Sequence, residues 1–295
     1  MLTFDIMPQD HCRRLESFLR TLLPASPFGY PRKLIKSGAV RLNGAISAPD
    51  TFLLMRDQVT IKESGATIRF LAEDRPVIDI LYEDDHIAII NKPAGLPMHR
   101  TAEQEANLVD EGMAYMAGRD TVCKLYPVNR LDRGTSGAVI LAKSSSSAGI
   151  FGRQVKEIGL DKLYLALVEG IPDPSGVVCE PLDDKESETR YSVLAAGSGF
   201  SLLAVIPISG RMHQIRRHLE MIGHPVVGDK RYGGTPVPLL PGFALHSFRT
   251  ALAMPDDSAL VVCAPVPEEL FSLCGHHGIA ADGLLASLAG LAVRR

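Results

Sequence analysis

YPVNRLDRGTSGAVILAK, Tyr126 to Lys143, is the stretch on which the reading of this chain turns. Arg130, Asp132 and Arg133 stand almost in a row, Gly134 and Gly137 bracket Thr135 and Ser136, and an apolar run follows from Ala138 to Ala142. A run of that length behind a turn reads as a buried strand. The two glycines permit the tight backbone that presents a polar side chain at the entrance of such a strand. The charges are then either a solvated turn, where ion pairs contribute little, or part of a site. A carboxylate that arginines approach is held ionised, which would make Asp132 a nucleophile or a base rather than a proton donor.

Further strands are expected on either side. VIDILYEDDHIAIINKPAG gives a strand, an acidic turn at Glu83 to Asp85, and a second strand that runs into Asn91-Lys92-Pro93-Ala94-Gly95. Gly137 to Ala142, Lys162 to Val168, Arg190 to Ala195, Phe200 to Pro207 and Ala259 to Ala264 have strand length and alternation. Helical spacing is confined to Asn107–Met116, Ser145–Glu157 and Gln214–Ile222 in this part of the chain. Many strands with few intervening helices predict an α+β fold with a mostly antiparallel sheet. The apolar end, GIAADGLLASLAGLAV, reads as a terminal helix packed on the body, too short to span a bilayer.

With 295 residues, 46% hydrophobic and 22% charged, the chain lies in the soluble globular range. Its five cysteines are scattered without a CxxC, as expected of buried thiols in a reducing compartment. No signal-peptide pattern and no apolar run of membrane-spanning length is present, so the cytoplasm is the expected location. The net charge of −3 is unevenly distributed. Between Cys12 and Lys62 nine basic residues face three acidic ones, a local +6 that leaves −9 for the remainder. Such asymmetry suggests a small module that handles a polyanion beside a larger one with another task.

Within that basic segment, Leu15, Phe18, Leu19, Leu22 and Leu23 have helical spacing, and Pro24 ends the pattern. A second helix is expected from Pro31 to Gly38, then a strand at Ala39 to Leu42, an Asn43-Gly44 turn, and a strand in DQVTIK. Arg32, Lys33 and Lys36 fall on the second helix, where they are either a solvated face or a phosphate-binding one. Residues 63–76 read as a linker.

A second charged cluster, GRMHQIRRHLEMIGHPVVGDKRYGG, contains Arg211, His213, Arg216, Arg217 and His218. On a helix starting near Met212, His213 neighbours Arg216 and Arg217. The spacing of His213, His218 and His224 matches no standard zinc pattern, and His276-His277 reads as a surface loop, so no metal is expected. In DKLYLALVEG, Lys162 and Tyr164 lie on one face of an alternating strand, where Tyr164 alone would read as core.

RRLESFLRTLLP, RKLIKSGAVRLNGAIS and DQVTI together resemble the S4 RNA-binding domain. NRLDRGTSGAVILAK, DKLYLALVEG, GRMHQIRRHLEMIGHPVVGDKRYG, LYEDDHIAIINKPAGLPMH and ALHSFRTAL resemble the motifs of the RluA-like RNA pseudouridine synthases, in order and rough spacing. The resemblance covers residues 12 to about 270. It implies an S4-like domain at 12–62 that binds RNA through Arg32, Lys33, Lys36 and Arg41, and a catalytic domain at 77–295 with the mixed sheet of such synthases. It also implies isomerisation of uridine to pseudouridine without a cofactor; the S4-like module favours ribosomal RNA over transfer RNA as the target, and a monomer is the default expectation. Asp132 matches the essential aspartate, Arg130 the arginine that fills the gap left by a flipped uridine, Tyr164 the tyrosine against the base, and Arg216 the arginine that pairs with the aspartate. Lys162, Arg133, His213, Lys92 and His246 fall at supporting positions. Asn129 departs from the family, which usually has His there, and Arg217 stands where a smaller apolar residue is common.

The alternatives are a non-catalytic RNA-binding or ribosome-assembly factor on the same fold, and a carboxylate glycosidase. The first would be expected to have lost one of Asp132, Tyr164 and Arg216, which are all present. The second needs a further acid as proton donor, and the motifs offer none.

Overall fold

Helical spacing and strand alternation divide the chain into two packed bodies, seen in a computed structural model that describes residues 1–71, 78–100, 105–117, 123–238 and 240–279. The first body begins with β1 (Leu2–Asp5) and α1 (Leu15–Leu22). α2 (Tyr30–Lys36), β2 (Val40–Leu42) and β3 (Gln58–Ile61) follow. β3 lies between β1 and β2 in an antiparallel sheet. Leu15, Phe18 and Leu19 of α1 pack with Ile35, Val40, Val59 and Ile61 in the core of this body, as the apolar stripe of α1 requires.

Two differences from the sequence reading appear here. The sheet takes in residues 2–5, ahead of the predicted start at residue 12, because Leu2 to Asp5 pair with Gln58 to Ile61. The stretch read as a linker contains α3 (Gly65–Phe70), whose first turn is capped by Ser64 accepting from Thr67 N at 3.1 Å.

The larger body is built on β4 (Ile80–Glu83), β5 (Ile87–Lys92), α4 (Leu108–Ala117), β6 (Tyr126–Pro127), β7 (Ser136–Ala142) and α5 (Ser145–Glu157). β8 (Asp161–Glu169), β9 (Ser175–Val178), β10 (Thr189–Gly197), β11 (Phe200–Pro207) and α6 (Gln214–Met221) come next. β12 (Leu245–Ala253), β13 (Ala259–Cys263) and α7 (Glu268–His276) complete it. The main path of its ten-stranded sheet runs β4-β5-β7-β12-β8-β11-β10-β9. All pairings are antiparallel except β7 with β12, so the sheet is mixed and mostly antiparallel, as the strand-rich pattern predicted. All seven residues of β7 are buried, and around β5 and β7 alternate residues enter two separate apolar clusters, one on each face.

The parallel contact depends on one glycine. Gly137 has φ +110°, and a Cβ there would lie 2.3 Å from the backbone oxygen of Ser247. Only glycine lets β7 approach β12 so closely.

The two bodies share a polar seam. The side of α1 turned from its own core presents Ser17, whose hydroxyl donates to Ile80 O at 2.8 Å, and Arg20, 3.5 Å from Glu83. Just before the helix, Arg13 forms two bonds of 2.6 Å with Asp79. No helix among the described residues is long and apolar enough to cross a membrane. The predicted terminal helix lies mostly in residues 280–295, outside the described residues. His276 ends α7 and His277 stacks on Phe200 at 3.6 Å, so the pair belongs to a helix terminus rather than to a free loop.

Candidate active site

Asp132 sits in the loop that leads into β7, with Thr135 N donating to its carbonyl at 3.1 Å. Neither arginine beside it in sequence is its partner. Arg133 turns outward and makes a bidentate pair with Glu105 at 2.8 and 2.7 Å, its Nε donating to Gly95 O at 3.0 Å. Arg130 is exposed and has no hydrogen-bond partner among the described residues. The cation at Asp132 is Arg216 from α6, whose Nη1 donates to Oδ2 at 2.9 Å.

Arg216 is held from all sides. Asp229, buried, takes its Nε at 2.6 Å and its Nη2 at 2.9 Å. The guanidinium lies 4.1 Å from the Phe243 ring centroid and 4.9 Å from that of Tyr232. A cation held close to two aromatic rings while making three hydrogen bonds suits arginine better than lysine. Asp229, Tyr232 and Phe243 had no role in the sequence reading, although GDKRYGG begins at Gly228, seven residues after the end of α6. A buried aspartate behind Val226-Val227-Gly228 was the available signal, since a carboxylate is buried only when paired.

His213 precedes α6 in a left-handed conformation, φ 54°. Its Nδ1 shares a hydrogen bond of 2.9 Å with the Tyr232 hydroxyl, and its Nε2 stands 3.8 Å from Asp132 Oδ1, beyond hydrogen-bond reach. Burial lowers its pKa, partly offset by Asp132, so that the ring is mostly neutral at pH 7. Tyr164, on β8, is buried and its phenol is pushed up to about 12, by burial first and by Asp132 in addition. Lys162 stands two residues earlier on the same strand.

These side chains line one cavity of about 310 Å³, with Asp132, Tyr164, Lys162, His213, Arg216 and the exposed Arg130 on its wall. Lys92 and His246 do not reach it. Lys92 is fully buried and donates to Pro93 O, Leu96 O and Arg133 O at 2.8 to 3.0 Å, which ties the β5 turn to the Asp132 loop. Burial brings its pKa down to about 7. His246 bonds Ser136 Oγ at 2.9 Å and Ala264 O at 3.1 Å, and burial lowers it to about 4. Both brace the loop from behind. Asn129 does so from the side, accepting from Ile140 N at 2.8 Å.

The other histidines considered for metal are engaged in hydrogen bonds. His218 meets Ser187, Thr189 and Glu180 O at 2.9 to 3.1 Å, and His224 meets Glu169 O at 2.9 Å. In the smaller body, Lys33 and Lys36 are exposed and Arg32 pairs with Glu16 at 2.9 Å. Arg41 is exposed and donates to Gly44 O at 3.1 Å.

The family model described as RNA pseudouridylate synthase matches residues 86–221. Ribosomal large subunit pseudouridine synthase C of Escherichia coli (strain K12) is 32% identical over 246 residues, 75% of this chain and 76% of that protein. The chain belongs to the RluA-like RNA pseudouridine synthases. A further synthase, the uncharacterized RNA pseudouridine synthase YhcT of Bacillus subtilis (strain 168), is 33% identical over 216 residues, 67% of this chain and 71% of the relative. Two human structures share the fold of this synthase. RNA Pseudouridylate Synthase Domain Containing 1 covers 72% of the chain and 94% of its own at 25% identity and a TM-score of 0.55. RNA Pseudouridylate Synthase Domain Containing 4 covers 68% and 92% at 21% identity and a TM-score of 0.57. The synthase is accordingly an isomerase acting on RNA, and the motif run that begins at Asn129 lies inside the matched region.

Proposed function

We propose that this synthase converts uridine to pseudouridine in the RNA of the large ribosomal subunit, with Asp132 as the essential group. The observation that carries the reading is the Arg216–Asp132 pair on the wall of a cavity that also presents the buried Tyr164. The reaction breaks the C1′–N1 bond of a uridine, turns the base, and rejoins it through C5. Asp132, with Arg216 beside it, acts on the ribose either by attacking C1′ or by removing a ribose proton. Tyr164 offers a face for the extruded base. Taking a base out of its stack costs a few kcal/mol, roughly, and Arg130, exposed on the cavity wall, fills the gap. The E. coli relative's name supports the ribosomal target.

The smaller body, residues 12–62 with β1 added, is proposed to be an S4-like module. Its exposed Lys33, Lys36 and Arg41 supply phosphate affinity without sequence preference. The larger body recognises one RNA shape. The enzyme acts as a monomer in the cytoplasm and draws on no metal or cofactor.

The test uses unmodified transcripts of large-subunit RNA and of transfer RNA carrying tritium at uridine C5. Wild type is expected to release tritium from the ribosomal transcript, and Asp132→Asn from neither. Release from transfer RNA alone would overturn the substrate assignment. Equal release by Asp132→Asn would overturn the role of Asp132.

A further inference from the structure

The cations around the cavity are not equivalent. Arg216 is committed to Asp132 and Asp229, Arg211 donates through Nε to Glu186 O at 3.0 Å, and His213 is held by Tyr232. Arg130 points to solvent. Lys162 differs from all of them: it is partly buried on the cavity wall, and among the described residues its ammonium has no hydrogen-bond or ion-pair partner.

Its placement follows from the strand. Lys162 and Tyr164 are two residues apart on β8, so their side chains leave the same face. Across the sheet Lys162 is paired with the buried Thr250 of β12. Val155 and Leu160 add apolar wall from the α5 side, and Pro207 from the end of β11. The charged or titratable groups that share the cavity are Arg130, Asp132, Tyr164, Arg211, His213 and Arg216. Burial alone draws the Lys162 ammonium below the ordinary lysine value, with no carboxylate opposing the shift.

An ammonium drawn partly out of water and left without an anion is unfavourable, and such groups cluster where an anion forms during turnover. This reaction forms one. When C1′–N1 breaks, the bonding pair stays on the base, and the uracil carries a negative charge spread over N1, O2 and O4. We propose that Lys162 is a catalytic residue whose ammonium holds that charge while the base turns beside Tyr164. Carbon C5 then bonds to C1′ as the Asp132–C1′ bond breaks or, on the other route, as Asp132 returns the ribose proton; the C5 proton departs, its bonding pair restores the C5–C6 double bond, and N1 ends protonated. One proton has moved from C5 to N1, and Lys162 keeps its own throughout. The assignment rests on the cavity being the uridine site.

The test is single-turnover tritium release from the ribosomal transcript, with RNA affinity and melting temperature measured for every variant. Lys162→Met is expected to lose about 10²- to 10³-fold in rate, with RNA affinity changed less than about threefold, on the order of 0.6 kcal/mol. Lys162→Arg is expected to regain at least about tenfold of that loss, since it keeps the charge. The pH profile separates this from packing. Wild type should slow as pH climbs through the depressed lysine value, whereas the guanidinium variant should hold its rate. The assignment falls if Lys162→Met keeps the wild-type rate, if its loss is entirely in RNA affinity, or if Lys162→Arg is no faster and shows no altered profile. Asp132→Asn runs in parallel: should it stay active, the cavity is not the uridine site, whatever Lys162 does.

Discussion

Asp229 occupies two of the three guanidinium nitrogens of Arg216 and leaves only Nη1 for Asp132. The buried carboxylate thereby fixes the plane and direction of the arginine before any RNA arrives. Asp229→Asn keeps the shape but weakens one side of the bidentate pair. Single-turnover rate is expected to fall about 10- to 100-fold, with RNA affinity little changed, as for loss of a preorganised geometry. An unaltered rate would show that Asp132 orients the arginine unaided.

The seam between the two bodies should contribute to stability. Arg13 has 1% side-chain exposure and Asp79 20%. Removing one partner of a buried pair strands the other, at a cost of about 3–5 kcal/mol. Arg13→Ala is expected to lower the unfolding free energy from denaturant titration by that amount, and the Arg13→Ala, Asp79→Ala double variant to lose less than the sum of the singles. Additive losses would mean that the two charges are not coupled.

Acid should destabilise the fold through His246. Its folded pKa of about 4 lies below the ordinary histidine value of 6.5, so the neutral ring is the one the fold accepts. The unfolded chain binds the proton first, and stability that is complete above pH 6.5 is lost as pH falls toward 4. The loss is on the order of 3 kcal/mol. His246→Gln should show a shallower decline of unfolding free energy between pH 6.5 and 4.5. An identical slope in both proteins would assign the acid sensitivity elsewhere.

RNA affinity should depend unequally on the cations of α2. Lys33 and Lys36 are exposed and have no ion-pair partner among the described residues, whereas Arg32 is bound to Glu16. Each contact to a phosphate steepens the slope of log affinity against log salt by about 0.7–0.9. Lys33→Gln and Lys36→Gln should each reduce the slope by roughly that amount, and Arg32→Gln by less. A slope untouched by all three would remove this helix from the RNA interface.

The catalytic loop was legible because its signals are local. Residues 126–143 carry turn, charge and strand within 18 positions, and β7 and α5 form where the pattern placed them. The partners of the loop charges were not legible from spacing. Arg133 finds Glu105, 28 residues away, and Asp132 finds Arg216, 84 residues away; only the family resemblance pointed to the second. β12 escaped the strand count because His246, Ser247 and Thr250 are polar yet buried, which erases the alternation that marks a half-exposed strand. β1 escaped because Leu2 to Asp5 is short and finds its partner more than fifty residues later.

The position of β12 has a consequence for how the enzyme comes into being. β12 separates β7 from β8, so among the described residues the halves of the sheet built from residues 80–142 and 161–207 are joined only by residues 245–253. Gly137 against Ser247 and Ser136 against His246 are contacts across about 110 positions. A ribosome that has released the first 240 residues has already delivered Asp132, Tyr164 and Arg216, but as two open-edged sheets without a common frame. Catalytic competence thus arrives late and all at once, when β12 closes the gap.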